Sequence, residues 1–111
     1  MSTITRTPKK LAQSALSNVA TAYYTTSSDT TTQVTEVWLV NTNASTARTV
    51  TMYTHGLTST NITAIITIQP NTTALFGNSR IVLTETETLG FKQDTGTDVI
   101  ASVYGIEEVL S

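Results

Sequence analysis

The sequence predicts an all-β protein, an antiparallel β-sandwich of jelly-roll type with about eight short strands. Roughly one residue in four is threonine, spread from Thr3 to Thr97 rather than gathered in one tract. A β-branched side chain with a hydroxyl suits a pleated strand whose outer face is wet. Short apolar alternations recur about every ten residues with Gly, Asn, Asp and Ser between them, the spacing of a sandwich rather than of βαβ units. No segment sustains a helical period, and no fixed repeat supports a β-helix or a propeller. An immunoglobulin-like sandwich is the alternative.

Taken in order, residues 1–10 lack periodicity and hold Arg6, Lys9 and Lys10 beside Pro8, half of the six positive charges. This is the composition of an N-terminal arm preceding a single domain over 11–111. Leu11 to Ser17 reads as a short lead-in of one or two helical turns, followed by a strand ending at Tyr23-Tyr24-Thr25. Adjacent in a strand, the two tyrosines should point to opposite faces. The polar stretch from Thr26 to Thr31 separates this strand from the next.

Gln33 to Asn41 gives the clearest β signal. Val34, Glu36, Trp38 and Val40 fall on one face, and Thr35, Val37, Leu39 and Asn41 on the other. Apolar groups on both faces predict a central strand, with Trp38 in the core. A polar loop leads to Arg48–His55, an antiparallel neighbour. A second loop precedes Ile62–Gln69, which stops at the Pro70-Asn71 turn. Thr72–Phe76 and Arg80–Thr84 are expected as two strands about a Gly77-Asn78-Ser79 turn, followed by Thr88–Gln93. The last strand, Val99 to Ile106, again has two apolar faces: Val99, Ala101 and Val103 on one, Ile100, Tyr104 and Ile106 on the other. Its second face must meet something.

Composition removes several function classes. At 111 residues the chain can bury one core without staples. It has no cysteine, which removes disulfides, thiolate metal sites and Cys nucleophiles. A net charge of −2 with 13% charged residues lacks the basic stripe that nucleic acid demands. No apolar run reaches the length of a membrane span or of a signal peptide. No cofactor or metal motif is present.

The residues that could carry chemistry have simpler readings. His55 is the single histidine, but no spacing supplies it with a nucleophile and an orienting carboxylate. Asp94-Thr95-Gly96-Thr97-Asp98 brings two carboxylates to one loop, conceivable for Ca²⁺, yet it reads as a hairpin turn. Glu85 with Glu87, and Glu107 with Glu108, are paired acids of the kind glycosidases use, but they read as solvated edges that discourage sheet pairing. Asn43, Asn61 and Asn71 match the N-glycosylation pattern and carry no weight without a secretory signal.

Three pieces of the chain share a pattern with a known group. They are the Leu11–Tyr24 lead-in and strand, the Val34–Thr42 strand and the closing Val99–Glu107 segment. Together they resemble small structural proteins of tailed-bacteriophage virions. The resemblance implies a β-sandwich that oligomerises, as a homotrimer or dimer, and decorates the capsid or joins the neck, tail or fibres. A capsid decoration or cement protein bound to the capsid protein is the first expectation, with localisation in the virion. Arg6, Lys9, Lys10, Ile100, Tyr104 and Ile106 are then the candidate partner contacts. A tail or fibre module binding host glycan through loops around Asn43, Thr58 and Asn71 is the alternative. An enzyme is not expected.

Overall fold

The computed structural model describes residues 3–111, apart from the side chains of 78–80. Eight strands form in chain order: β1 Ile4–Ala15, β2 Thr21–Thr25, β3 Thr30–Asn41, β4 Arg48–Thr54, β5 Ile62–Ile68, β6 Thr72–Leu83, β7 Thr88–Gln93 and β8 Val99–Leu110. One short 3-10 turn, Ser59–Asn61, precedes β5. The strands make two four-stranded antiparallel sheets, β1-β8-β3-β6 and β2-β7-β4-β5. The pairs β1–β8, β2–β7, β3–β6 and β4–β5 are those of one long hairpin whose successive pairs alternate between the sheets. That wrapping is a jelly roll, as the sequence predicts.

The strands are not uniformly short. β1, β3, β6 and β8 have 12 residues each, whereas β2, β4, β5 and β7 have 5, 7, 7 and 6. At 3.3–3.4 Å per residue the long sheet runs to about 40 Å and the short one to about 20 Å. The molecule is correspondingly elongated, 56 × 25 × 19 Å.

The arm expected over residues 1–10 is, from Ile4 onward, the first part of β1, which pairs with β8 from Ile4–Leu110 to Ala15–Ile100. Pro8, Lys9 and Lys10 are the residues that keep an edge strand from pairing further, and they resemble a tail only because a guarded edge and a free arm share a composition. The helical lead-in is also absent, since β1 continues to Ala15. Leu16 then crosses between the sheets, buried, with its N–H on the Val99 carbonyl. β6 is one strand, not two.

Bulges decide which faces are inside. The register of the long sheet shifts between Lys10 and Ala12 in β1 and between Val34 and Glu36 in β3. The extra residue at Thr35 reverses the alternation, so Val34, Val37, Leu39 and Asn41 all face inward, fully buried. Trp38 consequently lies on the outer face, 38% exposed, not in the core. A bulge between Ala22 and Tyr24 does the same in β2: Tyr23 and Tyr24 both pack on the core, Tyr23 against Phe91 at 6.2 Å between ring centroids.

The core is Val34, Val37, Leu39, Leu83, Val99, Ala101 and Val103 of the long sheet against Val50, Met52, Leu89 and Phe91 of the short one, with Leu16 and Ile68 closing one end. Each such side chain contributes about 1.5–3 kcal/mol when fully buried. Toward the Ile4–Leu110 end, the inner face of the long sheet becomes polar, through Lys9, Thr32 and Glu107.

Candidate interaction surface

The outer faces of the two sheets differ. On the short sheet, Thr49 and Thr67 face each other across β4 and β5, their hydroxyls 3.2 Å apart. The loop after β4 folds over the rest, placing Leu57 so close to Gly90 that a Cβ there would lie 2.4 Å from its methyl carbon. Tyr53, on the same face, is buried. Apart from Ile62 and Ile65 on the edge strand β5, 39% and 65% exposed, this face is covered or wet, as threonine abundance implies.

On the outer face of the long sheet the exposed apolar groups instead run across neighbouring strands. Its register aligns Ile100 with Val40, and Trp38 with Leu75 and Ser102. The next row holds Lys10, Tyr104 and Glu36 side by side, and the row beyond it holds Pro8, Ile106, Gln33 and Val82. Leu75 is 50% exposed, Val82 46%, Ile100 37% and Tyr104 36%. Contiguous apolar surface of this kind marks an interaction site, where single exposed hydrophobics would not. Ile100 and Tyr104 are two of the expected contacts, with Ile106 half-buried between Pro8 and Gln33. Trp38, Leu75, Val40 and Val82 were not expected there. The two-sided apolar pattern of Val34–Val40 carried that signal, and one bulge determined which side was free.

The basic residues of β1 separate into different roles. Arg6 lies 3.5 Å from Glu108 on the outer face, and Lys9 turns inward to Glu107 at 3.0 Å. Lys10 is exposed and donates to Gln13 Oε1. The Tyr24 hydroxyl donates to Glu107 Oε2, and Thr32 Oγ1 lies 2.7 Å from the same hydroxyl. Burial, reinforced by Glu107, pushes the Tyr24 hydroxyl up to about 12. The Tyr24 hydrogen bond and Lys9 hold Glu107 below the usual carboxylate range.

The residues considered for chemistry serve the loops. His55 Nδ1 meets Glu87 Oε2 at 2.8 Å, and Glu87 Oε1 caps the turn by accepting from the Thr84 N–H and hydroxyl. Those Thr84 bonds, then His55, lower Glu87. Asp98 Oδ2 receives Arg48 Nε at 2.9 Å, Arg48 Nη2 at 2.7 Å and Asn43 Nδ2 at 3.0 Å. Asn43 first, and Arg48 next, lower the Asp98 carboxyl. A carboxylate so engaged anchors a turn instead of offering a free ligand to Ca²⁺. Asn43 Oδ1 is likewise spent on the Ser45 and Thr46 N–H groups, and Thr58 on Asn61. Among the described residues no three His, Asp or Glu side chains are grouped to hold a metal, and no helix is long and apolar enough to cross a membrane.

An open cleft of about 400 Å³ at the Ile4–Leu110 end is lined by Asp29, Thr30, Glu85 and Glu108 as well as those two residues. Its two glutamates are engaged: Glu85 accepts the Asp29 N–H and Glu108 accepts from Gln33.

No family model matches the chain, and no curated protein matches it significantly. Among solved structures it is similar to one described under the words "Bacillus endospore appendages form a novel family of disulfide-linked pili". The TM-score is 0.58 at 16% identity, over 100% of this chain and 92% of that one. This likeness is one of fold. The present chain, having no cysteine, lacks the residue that a disulfide link requires.

Proposed function

We propose that the chain is a non-enzymatic structural subunit that works as one unit of a repeated protein assembly. The setting is the surface of a bacteriophage particle, with capsid decoration as its role. The observation that carries the assembly part of this reading is the uncovered apolar face of the long sheet, centred on Trp38, Leu75, Ile100 and Tyr104, while the phage setting rests on the sequence resemblance alone. A folded monomer with no partner has no use for such a face.

The sheet edges support the same reading. The β1 edge is guarded by Arg6, Pro8, Lys9 and Lys10, whereas β5, Ile62–Ile68, and residues 72–77 of β6 carry no charge and no proline. The β1 edge of the long sheet is thus guarded against further pairing, while the β5 edge and the start of β6 are not. The fold likeness to an appendage subunit supports a structural role over a catalytic one. A glycan-binding role is less favoured, because the side chain of Asn43 is spent on Asp98, Ser45 and Thr46 and that of Thr58 on Asn61.

The test is a density map of purified particles, with an antibody to this domain as the label. Regularly repeated density of sandwich size at the labelled positions is the expected result. Particles that lack the protein, with all of it recovered unassembled, would overturn the reading.

A further inference from the structure

We propose that the outer face of the long sheet is covered by the same face of a second copy, related by a two-fold axis that runs parallel to the strands over the middle of the sheet. This rests on the assembly reading above and names the partner of that surface.

Size is the first argument. Four strands at about 4.8 Å spacing and about 40 Å length present roughly 760 Å². Two such faces bury about 1,500 Å², the area of a standard stable interface. Sheets stack face to face at about 10 Å with strands nearly aligned, so the geometry needs no rearrangement of either copy.

Charge decides the orientation. The row Lys10–Tyr104–Glu36 crosses the face with a cation at the β1 side and an anion at the β3 side. Among the described residues neither charge is in an ion pair: Lys10 donates to Gln13, and Glu36 accepts the Trp38 Nε1–H at 3.4 Å. A two-fold parallel to the strands reverses the row in the facing copy. It sets β8 against β3, so that Ile100 meets Val40, and brings Lys10 within side-chain reach of Glu36 of the second copy, twice per dimer. The other in-plane two-fold, perpendicular to the strands and running over this row, places Lys10 over Lys10 and Glu36 over Glu36, which like-charge repulsion disfavours.

Sedimentation equilibrium on the full chain and on Lys10→Glu, Glu36→Lys and their combination tests this, with circular dichroism confirming that each variant is folded. The wild type should dimerise, each single reversal should weaken the dimer about tenfold or more, and the double reversal should restore it. An equimolar mixture of the two single variants should form a heterodimer more tightly than either associates alone, because both cross pairs are then opposite in sign. A wild-type chain that stays monomeric at about 100 μM overturns the proposal, since an interface of this size forms well below that concentration. So does a dimer indifferent to all three reversals. Neither outcome touches the particle density by which the structural role itself is judged.

Discussion

A Cβ placed on Gly105 would lie 2.3 Å from the carbonyl oxygen of Gln33 and 2.8 Å from a methyl carbon of Leu11. Gly105 sits in β8 beside the bulges of both neighbouring strands, between Lys9 and Val34 in the register. The close approach is to backbone, so no rotamer change relieves it. Gly105→Ala is therefore expected to cost about 2–4 kcal/mol, measured by urea unfolding. Gly77→Ala is the control: its Cβ would meet nothing within 4 Å, and stability should change by less than about 0.5 kcal/mol. Equal costs for the two would mean that the bulged row does not constrain the sheet.

Asn41 ends β3 fully buried, and its side chain serves three backbone groups. Nδ2 donates to the Thr46 and Ile68 carbonyls, while Oδ1 accepts the Asn43 N–H. It thereby ties the β3–β4 loop to the end of β5 and joins the two sheets. Asn41→Leu keeps the volume but strands all three groups, at about 1–3 kcal/mol for each one left without water. A loss of about 3 kcal/mol in denaturant unfolding is expected, and a loss under about 1 kcal/mol would show that water replaces the bonds.

The strand positions and the sandwich were legible because they rest on local alternation and turn residues, as at Val34–Val40 and Pro70-Asn71. What alternation cannot show is a bulge. One extra residue at Thr35 set Val34 and Trp38, one face by alternation, on opposite faces, and one at Tyr23 brought two adjacent tyrosines to the same side. β1 was hidden for another reason: Pro8, Lys9 and Lys10 protect an edge, and only pairing with β8 distinguishes that from a free tail. Of the interaction surface, Ile100 and Tyr104 were legible from the two-sided last strand, because β8 has no bulge in it.

The Tyr24–Glu107 pair predicts opposite responses at the two ends of the pH scale. Tyr24 is pushed up to about 12, so its contribution is complete below the unfolded tyrosine value of about 10 and is lost as pH rises through 12. Glu107, Glu87 and Asp98 are lowered, so theirs is complete above the unfolded carboxylate values of about 4 and is lost as pH falls below them. The thermal midpoint should be flat from about pH 6 to 9 and fall on both sides. Ultraviolet titration should show one phenolate forming only near 12, and Tyr24→Phe should remove that late step. A titration unchanged by the substitution would place the perturbed hydroxyl elsewhere.

Trp38 and Leu39 are neighbours in β3 on opposite faces, one 38% exposed and the other fully buried. Leu39→Ala leaves a cavity between the sheets and should cost about 3–5 kcal/mol. Trp38→Thr removes a much larger side chain, yet in the monomer it should change stability by less than about 1 kcal/mol, because no core contact is lost and threonine suits the strand. The same Trp38→Thr change should weaken self-association by about tenfold or more, since a central aromatic anchors an interface of this kind. Denaturant unfolding at low concentration, with sedimentation at high concentration, separates the two effects. A large loss of monomer stability from Trp38→Thr would return Trp38 to the core and leave the outer face without its anchor.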